Sequence, residues 1–446
     1  MKAFLTSVVL AILASSAFTQ TDLPFNPQDG ETVVFLGDSI THQCIYTQYV
    51  EDFFYTRYPE RKIHFHNAGV SGDKAADALA RFDEDVAAFE PDFVTVLLGM
   101  NDGQYLPFDP ETFETYRTDM QQLLDRIAEI GAKPIVMSPT MFDHAELNRR
   151  KDDPTYRFRD RDFDENYNAL MAFYGGWALE ESGRRAAPFV SLWAPLNTHT
   201  IEQRRANSEF TMIQDAIHPS PAGQMVMAFE MIFQLGAERR GSSSISITPR
   251  GKKWAGNPGV TDLTVSDDRK QVSFTFLAKS LPWVIPKEDS NHELKWKLPS
   301  NGREGYKMTK AGHKLSGDRI KIAGLAPGNY EILIDGEVIG QWNNLALGTK
   351  IEVQENEATP QYQQALEVAH LNRDRNDLAM RPLRDTWGKI KGLRRKFAEQ
   401  PDRFAEEFEK LEPQIAELQQ LLADYDKKIH TAAQPQPRKY QIRPAK

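Results

Sequence analysis

Apolar runs alternate with helical patterns along residues 25–240, and this alternation constrains the chain more than any other feature. The runs lie at 32–36, 62–66, 93–98, 134–137 and 189–192. Between them Tyr49, Val50, Phe53 and Phe54 share one helical face. Phe113, Tyr116, Met120, Leu123, Leu124 and Ile127 share another, and Gly131 closes that helix. Strands that are apolar throughout need cover on both faces, and strands separated by helices pair in parallel. The pattern predicts an α/β domain of three layers, helices on both sides of a parallel sheet. Ligands of such sheets bind beyond the carboxyl ends of the strands.

Three of those strand ends carry candidate chemistry. The first strand ends in Gly37-Asp38-Ser39 and a helix follows. A hydroxyl at a helix start faces backbone N–H groups that favour developing negative charge, although serine there also serves as a plain helix cap. The second ends in Asn67-Ala68-Gly69-Val70-Ser71-Gly72-Asp73, where Gly72 lets a backbone N–H approach a ligand closely. Ser71 is a rival nucleophile by type, but Asp73 stands where a Gly-x-Ser-x-Gly elbow needs glycine. The third ends in Gly99-Met100-Asn101-Asp102; an amide such as that of Asn101 donates to an oxyanion without being ionised. Much later comes Asp215-Ala216-Ile217-His218-Pro219, one loop that can present a carboxylate and an imidazole together. Ser220 caps the next helix and Pro221 takes its first position. Nucleophile, base, orienting carboxylate and oxyanion donors are the parts that acyl-ester hydrolysis requires.

Other reactive side chains fit less well. His42 is too local to Ser39 to reach back as its base, and His64 and His66 lie within a strand. No histidine–carboxylate cluster has metal-ligand spacing, so no metal is expected. The lone cysteine, Cys44, reads as a small buried hydrophobe and excludes an internal disulfide.

The four blocks, in this order, resemble the SGNH (GDSL-type) hydrolase superfamily over residues 30–240. Gly37-Asp38-Ser39 matches the first block, with isoleucine rather than leucine following; Gly72 matches the second, Asn101 the third, Asp215 and His218 the last. The resemblance implies a flavodoxin-like fold with a five-stranded parallel sheet. It implies a catalytic triad of Ser39, Asp215 and His218, and an oxyanion hole from the N–H groups of Ser39 and Gly72 with the Asn101 amide. It implies esterase activity without a cofactor.

The rest of the chain adds context. Residues 1–20 read as a signal peptide: one positive charge at Lys2, a short apolar core and a small-residue exit near Ala17. The expected location is therefore exported, periplasmic or extracellular. The net charge of −9 makes nucleic acid and anionic membrane surfaces poor partners. No interior run approaches the roughly 18 apolar residues of a membrane span. Residues 142–163 are charged and aperiodic, and read either as a solvated surface or as a lid touching substrate. After a serine-rich boundary, residues 245–355 suggest a small antiparallel β-domain, with Asp335-Gly336 as a hairpin turn. Its Trp254, Trp283, Trp296 and Trp342 belong either to a core or to a sugar-binding face. Residues 359–430 suggest a helical hairpin with a seam of Phe404, Phe408, Leu411, Ile415, Leu418 and Leu422, interrupted by Pro413 and available for a homodimer. Residues 431–446 read as a disordered tail. Export and an aromatic β-appendage favour a carbohydrate O-acetyl esterase acting on a small ester or acetylated saccharide. A lysophospholipase- or thioesterase-like lipid esterase is the alternative, and a non-catalytic exported carbohydrate-binding protein a second.

Overall fold

The computed structural model describes residues 24–237, 243–286 and 302–445. The expected signal peptide and Trp296 lie outside the described residues. The first part of the chain is built from β1 (Thr32–Gly37), α1 (Ser39–His42), α2 (Ile45–Arg57), β2 (His64–Gly69), α3 (Ala75–Ala80), α4 (Phe82–Asp85), β3 (Phe93–Leu97), α5 (Pro110–Glu129), β4 (Lys133–Met137), α6 (His144–Arg150), α7 (Tyr167–Arg184), β5 (Phe189–Val190), α8 (Trp193–Arg204) and α9 (Pro221–Gln234). The five strands form one parallel sheet in the order β2-β1-β3-β4-β5. This is the expected three-layer α/β fold. The chain leaves β1 for β2 on one side and returns to β3 on the other, so the strand order reverses at β1. A crevice opens at such a point beyond the strand ends.

Alternation within β1 shows why both faces are covered. Val33 and Phe35 join one apolar cluster with α2 and α9, while Val34 and Leu36 join another with α3, α5 and α7. Burying each of these side chains is worth about 1.5–3 kcal/mol relative to leaving it in water.

The second part comprises β6 (Ile245–Arg250), β7 (Lys253–Gly256), β8 (Val260–Val265), β9 (Val272–Phe276), α10 (Gly302–Thr309), β10 (Arg319–Ile322), β11 (Asn329–Ile334), β12 (Glu337–Asn343), α11 (Asn344–Thr349) and β13 (Ile351–Glu352). The turn between β11 and β12 has φ of 52° at Asp335 and 96° at Gly336, the doubly left-handed turn that Asp-Gly favours. The strands form two sheets rather than one antiparallel unit, and β6 pairs with β10 in parallel. Trp283 is buried against α2, and its indole N–H donates to the Tyr49 carbonyl at 3.1 Å. Trp254 and Trp342 pack on the core between the two sheets.

The last part comprises α12 (Pro360–Arg375), a π-helical turn over Asn376–Met380, α13 (Arg381–Lys396), α14 (Pro401–Glu409), α15 (Glu412–Ala432) and β14 (Arg438–Pro444). Pro413 does not interrupt a helix; it lies in the first turn of α15, where a missing N–H costs nothing. The apolar seam of α14 and α15 packs on Met380, Leu383, Trp387 and Ile390 of the same chain, with Leu422 buried and the other seam residues half-buried. The tail is not disordered. Within residues 431–446, β14 lies between β11 and β9 in the middle of a five-stranded sheet. Tyr440 and Ile442 point into the core while Lys439 and Gln441 face out. Among the described residues, no helix is long and apolar enough to cross a membrane.

Candidate active site

Each candidate residue sits where a strand of the parallel sheet ends, or on the loop facing those ends. Ser39 follows β1 directly. A Cβ at Gly37 would collide with Thr41, so glycine is what lets α1 turn back tightly over the strand. Asp38 caps α1 by accepting the Ile40 N–H at 2.9 Å. Burial pushes the Asp38 carboxyl up to about 6, against the pull of that N–H and of His218.

The Asp215–His218 loop is preformed. Oδ1 of Asp215 accepts the N–H groups of Ile217 at 3.0 Å and His218 at 2.7 Å. Oδ2 then meets His218 Nδ1 at 2.7 Å, and His218 Nε2 stands 2.8 Å from Ser39 Oγ. Burial alone would raise the Asp215 carboxyl, but the adjacent imidazole and these hydrogen bonds hold it below the usual carboxylate range. With the Nδ1 proton directed at Asp215, Nε2 is left to accept from Ser39. Ser39, Asp215 and His218 are 8%, 9% and 5% exposed, enough for an ester to reach one edge of the serine and little more.

Gly72 and Asn101 lie on the loops that follow β2 and β3. Gly72 is exposed and has φ of 71°, a conformation that side chains disfavour. The Asn101 amide is fixed at both ends. Its Oδ1 accepts the Tyr105 hydroxyl at 2.9 Å; its Nδ2 donates to the Asp73 carbonyl at 3.1 Å and to Asp38 Oδ2 at 3.3 Å. Tyr105 thus keeps the donor end of the amide turned towards the Asp38–Ser39 side. Asp102 ties the same loop down by accepting the N–H groups of Gly99 and Ala75, both at 2.9 Å. Burial pushes its carboxyl up to about 7.

Several contributors were not visible in the sequence. Tyr156, inside the charged 142–163 segment, donates its hydroxyl to the Asp215 carbonyl at 2.9 Å, and Arg150 donates to the Gln214 carbonyl at 3.1 Å. That segment is therefore neither a bare loop nor merely solvated: α6 and Tyr156 brace the histidine loop. His42, away from Ser39, contacts Ser71 with Nδ1 at 3.2 Å and Asp385 with Nε2 at 3.2 Å. Cys44 is buried and burial pushes its thiol up to about 12. Among the described residues, no group of three or more His, Cys, Asp or Glu side chains could hold a metal ion.

The arrangement can therefore deprotonate a serine and offer N–H groups to an oxyanion. Residues 35–226 match the model of the GDSL-like lipase/acylhydrolase family. An acetylxylan esterase from Geobacillus stearothermophilus is 28% identical over 231 residues, 47% of this chain and 95% of that protein. The structure of a gut microbial diltiazem-metabolizing enzyme superimposes with a TM-score of 0.77 at 24% identity, covering 94% of this chain and 99% of the other. That last likeness extends the shared fold through the two sheets and the helices that follow them.

Proposed function

From the premise that residues 35–226 are a GDSL-like lipase/acylhydrolase domain and the chain an ester-hydrolysing serine hydrolase, we propose an exported carbohydrate O-acetyl esterase acting through Ser39, His218 and Asp215. The observation that carries the mechanism is the unbroken hydrogen-bond chain from Ser39 Oγ through His218 to Asp215. In this reading His218 Nε2 takes the Ser39 proton as Oγ attacks the ester carbonyl. The N–H groups of Ser39 and Gly72 and the Asn101 amide receive the oxyanion. His218 returns the proton to the departing alcohol, and an acyl-serine remains. Water, deprotonated by the same imidazole, then releases the acid and restores Ser39. Asp215 holds the imidazole in the required tautomer and stabilises its protonated form without itself taking the proton.

The choice of an acetylated saccharide is supported by the relative that is an acetylxylan esterase. The reading of export rests on the pattern of residues 1–20, and N-terminal sequencing of protein recovered from periplasm and medium tests it; a first residue between Phe18 and Thr21 is expected. Nitrophenyl esters from acetate to long chain, with acetylated xylan beside them, test the substrate class. Hydrolysis limited to acetate and xylan, and lost in Ser39→Ala, is the expected result. A preference for long chains would move the substrate to lipid, and undiminished turnover by Ser39→Ala would remove the mechanism.

A further inference from the structure

The loop that carries Gly72 is gripped by a helix more than 300 residues away. Lys391 of α13 lies outside the matched domain, and its ammonium meets three acceptors. Nζ is 2.7 Å from Asp73 Oδ1, 3.3 Å from the Ser71 carbonyl and 3.3 Å from Asp77 Oδ2. An ammonium has three N–H donors, so this set saturates it. The acceptors are not equivalent. The Ser71 carbonyl and the Gly72 N–H belong to one planar peptide group and point in opposite directions. A cation on the oxygen aims the N–H away from itself and, by drawing electron density towards the oxygen, strengthens it as a donor.

Asp73, the residue on the other side of Gly72, is held as firmly. Arg81 Nε donates to its Oδ2 at 2.9 Å while Lys391 holds Oδ1. Its backbone carbonyl is the acceptor that orients the Asn101 amide. Lys391 thus reaches two of the oxyanion donors, one through the Ser71–Gly72 peptide and one through Asp73. The same helix also steadies the start of the loop. The Ser71 N–H donates to His42 Nδ1, which leaves the ring proton on Nε2, directed at Asp385.

We infer that Lys391 is a positioning residue for ester hydrolysis, holding and polarising the Ser71–Gly72 peptide so that α13 completes the oxyanion hole of a domain to which it does not belong. This rests on the reading of Gly72 and Asn101 as oxyanion donors. The test is steady-state hydrolysis of nitrophenyl acetate by the full chain. Lys391→Met should lower kcat by on the order of 10- to 100-fold, with KM changed less than about twofold, because small misplacements of a catalytic group are felt in the transition state. Lys391→Arg, which keeps a cation at the site, should recover part of that loss. Arg395→Met should leave kcat unchanged: Arg395 shares Asp77 with Lys391, at 2.9 Å, from one turn further along α13. Melting temperatures read alongside separate lost folding from lost turnover, and Lys391→Gln serves if the methionine variant does not fold. Wild-type kcat in folded Lys391→Met or Lys391→Gln, while Ser39→Ala and Asn101→Ala are impaired, overturns the inference alone. Equal loss in Arg395→Met also overturns it, since the effect would then be helix docking. Full activity in Ser39→Ala and Asn101→Ala overturns the underlying reading of the site instead.

Discussion

Ala216 stands between Asp215 and His218 with φ of 70°, fully buried. A left-handed alanine costs about 1–2 kcal/mol, and the two hydrogen bonds that Asp215 accepts from its own loop hold it there. The loop spends local strain on presenting its imidazole to Ser39 with the carboxylate held behind it. Asp215→Asn should keep an acceptor for those N–H groups but turn an amide towards Nδ1. The proton then moves to Nε2, and kcat should fall by roughly 10⁴-fold with little change in melting temperature; a loss below about tenfold would contradict an orienting role. Asn101→Ala should lower kcat by about 10²–10³-fold and leave KM almost unmoved, since the oxyanion exists only in the transition state. A change confined to KM would speak against that donor. Tyr105→Phe keeps the ring tilted against Phe163, with centroids 4.8 Å apart, and deletes only the hydroxyl that donates to the amide. The expected cost is about tenfold in kcat, or ~1.4 kcal/mol. Wild-type turnover would show the amide to be held without it.

Helix α13 docks through charge as well as through Trp387. Asp85 of α4 is buried and accepts Arg384 at 2.9 and 2.8 Å, Arg81 at 2.6 Å and His66 at 3.2 Å. Burial would raise its carboxyl, but Arg384, His66 and Arg81 together hold it well below the usual carboxylate range. A carboxylate whose folded pKa is depressed contributes stability that is present above its unfolded value, near 3.9, and is lost as pH falls below it. Asp85→Asn should therefore cost about 3–5 kcal/mol at neutral pH, because three cationic or donor groups lose their anion. The gap to wild type should narrow in urea titrations near pH 3; an equal gap at both pH values would remove Asp85 from the acid response. Elements like these were only partly legible in the sequence. The parallel sheet was readable because strand and helix periods, the Ser220 cap and Gly131 are local signals. The seam of α14 and α15 was readable as apolar, but its partner was not, because Met380, Leu383, Trp387 and Ile390 are scattered through a strongly basic stretch. Tyr105, Tyr156 and Lys391 carry no motif at all. Their roles come from where packing brings a single polar atom, and no spacing along the chain records that.

At the scale of the whole molecule, the three parts of the chain share one interior. Phe53 and Met225 of the α/β part lie in the same apolar cluster as Trp283, Leu315, Tyr362, Leu366 and Ile429. Residues 24–237 expressed alone should expose that face and be aggregation-prone, binding a hydrophobic dye that the full chain does not. A soluble, cooperatively melting fragment would show instead that the α/β part closes its own core. The matched domain occupies less than half of the chain, and the remainder is what walls in α2 and α9 and holds the Ser71–Asp73 loop from behind. Strand β14 gives this architecture an order in time. It pairs Lys439 with Thr275 and Ile442 with Ile332, so β9 and β11 leave the ribosome long before the strand that belongs between them. Until residues 438–444 are made, two apolar edges stand open side by side, a slot shaped for one more strand. During that interval the nascent chain is vulnerable to capture by a neighbour's strand, and a synthetic Arg438–Pro444 peptide would compete for the same vacancy during refolding.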